Sequence, residues 1–175
     1  MESETKGTRS VNAIELLEMQ HREVEDLFEK FEASEDDDEC EQLFNTIADK
    51  LAIHATIEEK VFYPACLAAQ TEDILLESVE EHLQIKRLLA DLITMNVTDD
   101  EFEAKLHVLK EQVTHHAHKE EEAKLFPEVK SLLTRDERAA LGNEVLVMFD
   151  ELMQSGHPYK DVPAQIEHAA PLPHR

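Results

Sequence analysis

Histidine and glutamate recur in this chain at spacings that suit a metal centre. His54-Ala-Thr-Ile-Glu58-Glu59-Lys-Val-Phe62-Tyr63-Pro64 and His116-Ala-His-Lys-Glu120-Glu121-Glu122-Ala-Lys-Leu125-Phe126-Pro127 each set an imidazole ahead of a carboxylate cluster and close on an apolar residue, an aromatic and a proline. On a helix, an imidazole and a carboxylate four or five positions apart share a face and lie close enough to ligate one metal. That donor type suits iron, and ligand type alone leaves manganese and zinc compatible.

Helices must position these groups. Asn12, with Glu15 three residues on, predicts the start of a first helix running to about Ala33, whose stripe Ile14, Leu17, Val24, Phe28, Phe31 contains His21. A second helix carries Phe44, Ile47, Leu51 and Val61, with His54 and Glu58 inward, as far as Pro64. A third, from about Glu72 to Met95, presents Leu75, Val79, Ile85, Leu89 and Leu92 around His82. Thr98-Asp-Asp-Glu101 reads as a capping box for a fourth, whose stripe Phe102, Leu106, Leu109, Val113 leads into His116; Thr134-Arg-Asp-Glu137 reads as the capping box of a fifth that ends near Gln154. Pro64 and Pro127 are expected to kink or end their helices.

The helices form a repeat. At an offset of 61, His21 meets His82 with the surrounding apolar positions in register, and at an offset of 62, His54 meets His116. Two copies of a helix pair, each burying one face, predict an all-α, antiparallel up-down four-helix bundle with a fifth C-terminal helix and an extended Pro-rich tail. Residues 12–154 form the bundle domain, 1–11 a flexible N-terminus and 155–175 the tail. A single inward histidine is ordinarily a hydrogen-bonded core residue. Four at corresponding positions, with an inward glutamate in both copies, are better explained by a buried cation, since unpaired buried charge costs several kcal/mol.

The register slips once. Leu125-Phe126-Pro127 matches Phe62-Tyr63-Pro64 only at an offset of 63, so one residue has entered the fourth helix after His116. Absorbed as a π-bulge, the insertion turns Glu121 into the place of Glu58; in a regular helix Glu120 takes it. Glu121 is the candidate adopted, which gives His21, His54, Glu58, His82, His116 and Glu121 as the metal-ligating set. Glu59 and Glu122 read as exposed helix-face charges, the other role open to them being acceptors for ligand imidazoles. His107, His115 and His118, with His157, His168 and His174 of the tail, read as solvated, and the aromatic closings as core.

Composition narrows the function. A net charge of −23, with 17 Lys and Arg against 40 Asp and Glu, opposes nucleic acid and anionic membrane surfaces as partners. Without a signal-like N-terminus, a membrane-length apolar run or metal-type cysteine spacing at Cys40 and Cys66, a cytoplasmic protein with reduced thiols is expected. Length and pattern leave the oligomeric state open.

Over about residues 10 to 153 these motifs resemble the hemerythrin-like, or HHE cation-binding, family. The resemblance implies a four-helix bundle around a non-heme di-iron centre, oxo- or hydroxo-bridged, with His21, His54, Glu58, His82, His116 and Glu121 at the ligand positions and the glutamates as bridges. Oxygen carriers of that family place a second histidine four residues from the one on their third helix, where this chain has Ser78 and Lys86. They also use aspartate where Glu121 stands. The chain is therefore expected to leave a coordination position open or to recruit another ligand there. It is expected to bind or react with dioxygen, peroxide or nitric oxide, with catalase-like or peroxidase-like activity, in preference to carrying oxygen reversibly. The alternatives are a sensor or adaptor without turnover and an iron-storage bundle.

Overall fold

A computed structural model describes residues 11–173. The expected flexible N-terminus lies, but for Val11, outside the described residues, as does His174. The elements are α1 (Ala13–Ala33), α2 (Asp37–Ile57) running through a π turn (Glu58–Phe62) into α3 (Tyr63–Cys66), α4 (Glu72–Ile93), α5 (Asp100–His115) running through a π segment (His116–Leu125) into α6 (Phe126–Leu132), α7 (Arg135–Gln154) and a 3-10 helix (Pro158–Gln165). Three starts have side-chain caps: Asn12 accepts from the Glu15 amide, Asp36 from the Glu39 amide, and Thr134 and Glu137 form the reciprocal box. The box expected at Thr98 does not form. There α5 is capped by Asp99, whose carboxylate turns back to the Asn96 amide at 2.9 Å and closes the preceding turn instead.

Two apolar cores lie end to end, and the histidines mark their boundary. One contains Leu17, Ile57, Val79 and Leu125; the other contains Val24, Leu51, Ile85 and Leu109. Along α1 the chain passes from the first core through His21 to the second; along α2 it returns through His54 to the first. The same reversal holds for α4 through His82 and for α5 through His116, so the four long helices alternate in direction. Contacts of α1 with α2 and α5, and of α4 with α2 and α5, close the bundle. The fifth helix, α7, packs on α1 and α2. A Cβ on Gly142 would collide with the Val11 carbonyl oxygen, so the glycine permits that close approach.

Two expectations about the helices change. A wide turn occurs in both halves, not only in the second: the Tyr63 amide donates to the Glu58 carbonyl and the Phe126 amide to the Glu121 carbonyl, each five residues back. The inserted residue instead lengthens the second, to 10 residues against 5. Each wide turn precedes a proline, whose ring would strike the carbonyl four residues back in a regular α-helix. With that carbonyl displaced, the helices run past Pro64 and Pro127 to Cys66 and Leu132. The tail is a surface strap, held by more than its composition suggested. Val162 is buried in the second core, Asp49 accepts from His157 and from the Tyr159 amide, and Arg87 donates to the Ile166 carbonyl.

Candidate metal centre

All six candidate residues meet in the bundle interior, with Glu58 and Glu121 fully buried. The imidazole Nε2 atoms point inward in two groups. His21 and His54 face Glu121 Oε2 at 3.0 and 3.9 Å, and His54 faces Glu58 Oε1 at 3.1 Å. His82 and His116 face Glu58 Oε2 at 3.1 and 3.9 Å, and His116 faces Glu121 Oε1 at 3.7 Å. Each carboxylate thus divides its two oxygens between the two groups, the arrangement that bridging a pair of cations requires. Donor atoms of His21, His54, Glu58 and Glu121 fall within 4.8 Å of one another, and so do those of Glu58, His82 and His116.

The π segment decides which glutamate takes part. With five residues per hydrogen-bonded step in place of four, positions 116 and 121 share a face, and Glu121 joins the cluster. Glu120 is turned outward and pairs with Lys124 at 2.7 Å.

Every inward imidazole is held from behind through Nδ1. His21 donates to Glu122 at 2.8 Å, His54 to Gln20 at 2.7 Å, His82 to Glu59 at 3.0 Å and His116 to Glu81 at 2.6 Å. Such bonds fix the tautomer with a free Nε2 lone pair and raise its basicity. Glu59 and Glu122, read from the sequence as exposed charges, therefore take the other role; Lys86 clamps the first and Arg22 the second. The pattern follows the repeat. Gln20 beside His21 supports His54 as Glu81 beside His82 supports His116, and Glu122 supports His21 as Glu59 supports His82.

Tyr63 breaks that symmetry. Its hydroxyl donates to Glu121 Oε1 at 2.9 Å and lies 3.2 Å from Glu58 Oε2 and 3.3 Å from both His82 and His116 Nε2. In the other half the equivalent residue is Phe126, which stacks on His21 with no oxygen to offer. Expected to be core, Tyr63 is fully buried but lies among the donors. Its signal was present in the sequence: it stands five residues after Glu58, the spacing that a π turn brings onto one face. The positions where carriers hold another histidine add no imidazole here, although Ser78 also bears on the Tyr63 hydroxyl. Ser78 bonds its own helix backbone, and Lys86 is committed to Glu59.

The cluster is electrostatically tense. Burial disfavours the His116 imidazolium, but Glu121, Glu58 and Glu81 outweigh it and push the group up to about 10. Burial likewise opposes ionisation of Glu58, and the imidazoles of His54, His116 and His82 still hold it well below the usual carboxylate range. Burial and the charges of Glu121 and Glu58 drive Tyr63 far above the ordinary phenol value. The same influences push the buried thiol of Cys66 up to about 12, which leaves it a packing residue.

A direct test of fit is whether buried polar atoms lack partners that a cation would supply. His54 Nε2 and Glu58 Oε1 are such atoms: 3.1 Å apart, fully buried and without a hydrogen bond. Beside the four imidazoles lies a cavity of about 30 Å³ walled by Val24, Leu51, Ala55, Ile85, Val113 and Ala117, room for a molecule the size of water or a diatomic gas.

Comparison with known proteins shows the family. The hemerythrin HHE cation binding domain matches residues 12–129. The chain belongs to that family. A crystal structure of a hemerythrin HHE cation binding domain-containing protein from Mycobacterium kansasii superposes with a TM-score of 0.72 at 28% identity, covering 83% of this chain and 89% of that one. A curated relative, a DNA nickase from a Nostoc strain, is 26% identical over 152 residues, which are 86% of this chain and 43% of that protein. The chain thus spans less than half the length of the curated relative it matches. The fold is a hemerythrin-like helical bundle, and its buried His and Glu clusters mark it as metal-binding.

Proposed function

We propose that the chain holds two iron ions between His21, His54, Glu58, His82, His116 and Glu121, and that this centre binds and reduces dioxygen or peroxide, with nitric oxide as a further ligand. The observation that carries the reading is the pair of orphaned buried atoms, His54 Nε2 and Glu58 Oε1, within a set of donors that face inward and are braced from outside. Bound there, iron supplies the electrons and the open coordination positions that such small oxidants require.

The protein's own contribution is orientation, asymmetry and exclusion of water. The Nδ1 partners hold four lone pairs on target without searching. Tyr63 offers its hydroxyl to the His82–His116 side alone. Phe126 leaves the His21–His54 side as the one that admits a ligand. The Tyr63 hydroxyl also holds a proton against Glu121, within hydrogen-bond reach of both inward carboxylates. Apolar walls around the adjoining cavity favour small neutral molecules over hydrated anions.

Iron storage is disfavoured, because the carboxylates that face the inward Nε2 atoms of the four imidazoles are Glu58 and Glu121, too few for a growing mineral. DNA cleavage is not carried over from the longer relative, since a net charge of −23 repels phosphate backbones. The test is metal analysis with visible spectroscopy on anaerobically purified protein before and after peroxide. Two irons per chain, an absorption change on oxidation and consumption of peroxide, with release of dioxygen where turnover is catalase-like, are expected; iron-replete protein that neither changes colour nor consumes peroxide overturns the reactivity.

A further inference from the structure

On the solvent side of His116 stands a second donor group. His115 Nε2 lies 3.5 Å from Glu120 Oε1 and 3.7 Å from Glu81 Oε1, and one donor atom of each residue falls within 4.8 Å of the others. Donors bound at about 2.0–2.2 Å to a first-row divalent cation stand about 3–3.6 Å apart in tetrahedral or octahedral geometry. The imidazole therefore already holds both carboxylates near ligating separation. The group is not copied from the repeat, whose corresponding positions are Gln20, Ile53 and Ile57.

Glu120 is the carboxylate that the π segment turns away from the centre, yet its side chain is only 5% exposed. Its charge is held by Lys124, which bonds both oxygens at 2.7 Å and is itself half-exposed on a flexible stem. When that ammonium swings into water, a nearly buried carboxylate is left needing a cation. Glu81 faces both ways, with Oε2 on His116 Nδ1 at 2.6 Å and Oε1 toward His115. One side chain thus links the outer group to an imidazole of the buried one.

We propose that Glu81, His115 and Glu120 form an outer, exchangeable site for a divalent transition-metal cation, from which metal passes inward alongside His116. The delivery step rests on the dinuclear reading; the outer site does not. Lys124 competes with the cation for Glu120 and keeps the site weak, as a site that hands its metal on must be.

The test is anaerobic titration of the metal-free chain with Co2+, in excess Mg2+ to cover the diffuse acidic surface, read by equilibrium dialysis and by the rate of filling. The wild type should take up a third equivalent about tenfold or more weaker than the first two, the strength expected of a part-hydrated three-donor site. His115→Ala, at an exposed position, should keep two equivalents but fill them several-fold more slowly. Lys124→Ala should tighten the third equivalent several-fold. A third equivalent that is absent from the wild type, or unchanged in either variant, overturns the outer site. Equal filling rates in wild type and His115→Ala overturn delivery. Uptake of a single Co2+ that His115→Ala abolishes would sustain the outer site and refute the dinuclear reading.

Discussion

Tyr63 and Phe126 occupy equivalent positions in the two halves, and one hydroxyl makes those halves chemically different. Tyr63→Phe should fold normally, since it removes only the oxygen, but the loaded protein should change its visible absorption and release metal to a chelator several-fold faster. Unchanged colour and release would show that the hydroxyl is a bystander. Protons compete with metal at the same residues. In the metal-free chain His116 titrates at about 10 against an ordinary 6.5, so its contribution to stability is complete below pH 6.5 and is lost as pH rises through about 10. Thermal melts of the metal-free chain should therefore fall over that interval, while metal affinity rises as the imidazolium gives up its proton. The ligand candidates were legible in the sequence because His21, His54, His82 and His116 recur within apolar stripes. Gln20 and Glu81 were not, because a polar neighbour of an inward histidine looks like any solvated helix position until the partner helix is in place.

At the scale of elements, the π segment sets the choice between adjacent glutamates. Deleting Lys119 should bring Glu121 to four residues after His116, the spacing that Glu58 keeps from His54, and shorten the second π segment toward the single wide turn of the first half. Metal content should stay near that of the wild type while circular dichroism stays helical; loss of half or more of the metal would show that the longer π segment is itself needed. The insertion was readable as a slip from 62 to 63 in the repeat, but the first wide turn was not, because both halves share the local pattern from which it arises and alignment reveals only differences. Helix limits followed from caps where the side chain had one use, as at Asn12 and Thr134. At Thr98 two short-range options competed, and the Asp99 carboxylate closed the preceding turn. The junction of α7 with α1 has its own test. Gly142→Ala drives a methyl group into the Val11 carbonyl and should cost about 1–3 kcal/mol, read as a lower denaturation midpoint.

Across the whole molecule, the alternation of helix direction follows from two cores on either side of a polar waist. That waist is the weak part of the bundle without metal, since four imidazoles and two carboxylates are buried there against one another. A tightly held cation pair at about a thousandfold above its dissociation constant adds about 4 kcal/mol, which for a chain of this size raises the melting temperature by on the order of 10 °C. A chelated sample that melts at the same temperature as the iron-loaded one would contradict this. Among the described residues no helix is long and apolar enough to cross a membrane, and the strap from Pro158 onward ties α2 to α4. In the proposed centre two metals share Glu58 and Glu121. Anomalous diffraction at the iron edge from crystals of the anaerobically purified protein measures it most directly. Two iron peaks per chain are expected, one among His21, His54, Glu58 and Glu121 and one among Glu58, His82, His116 and Tyr63. A single peak, or none among these residues in protein that contains iron, would contradict it.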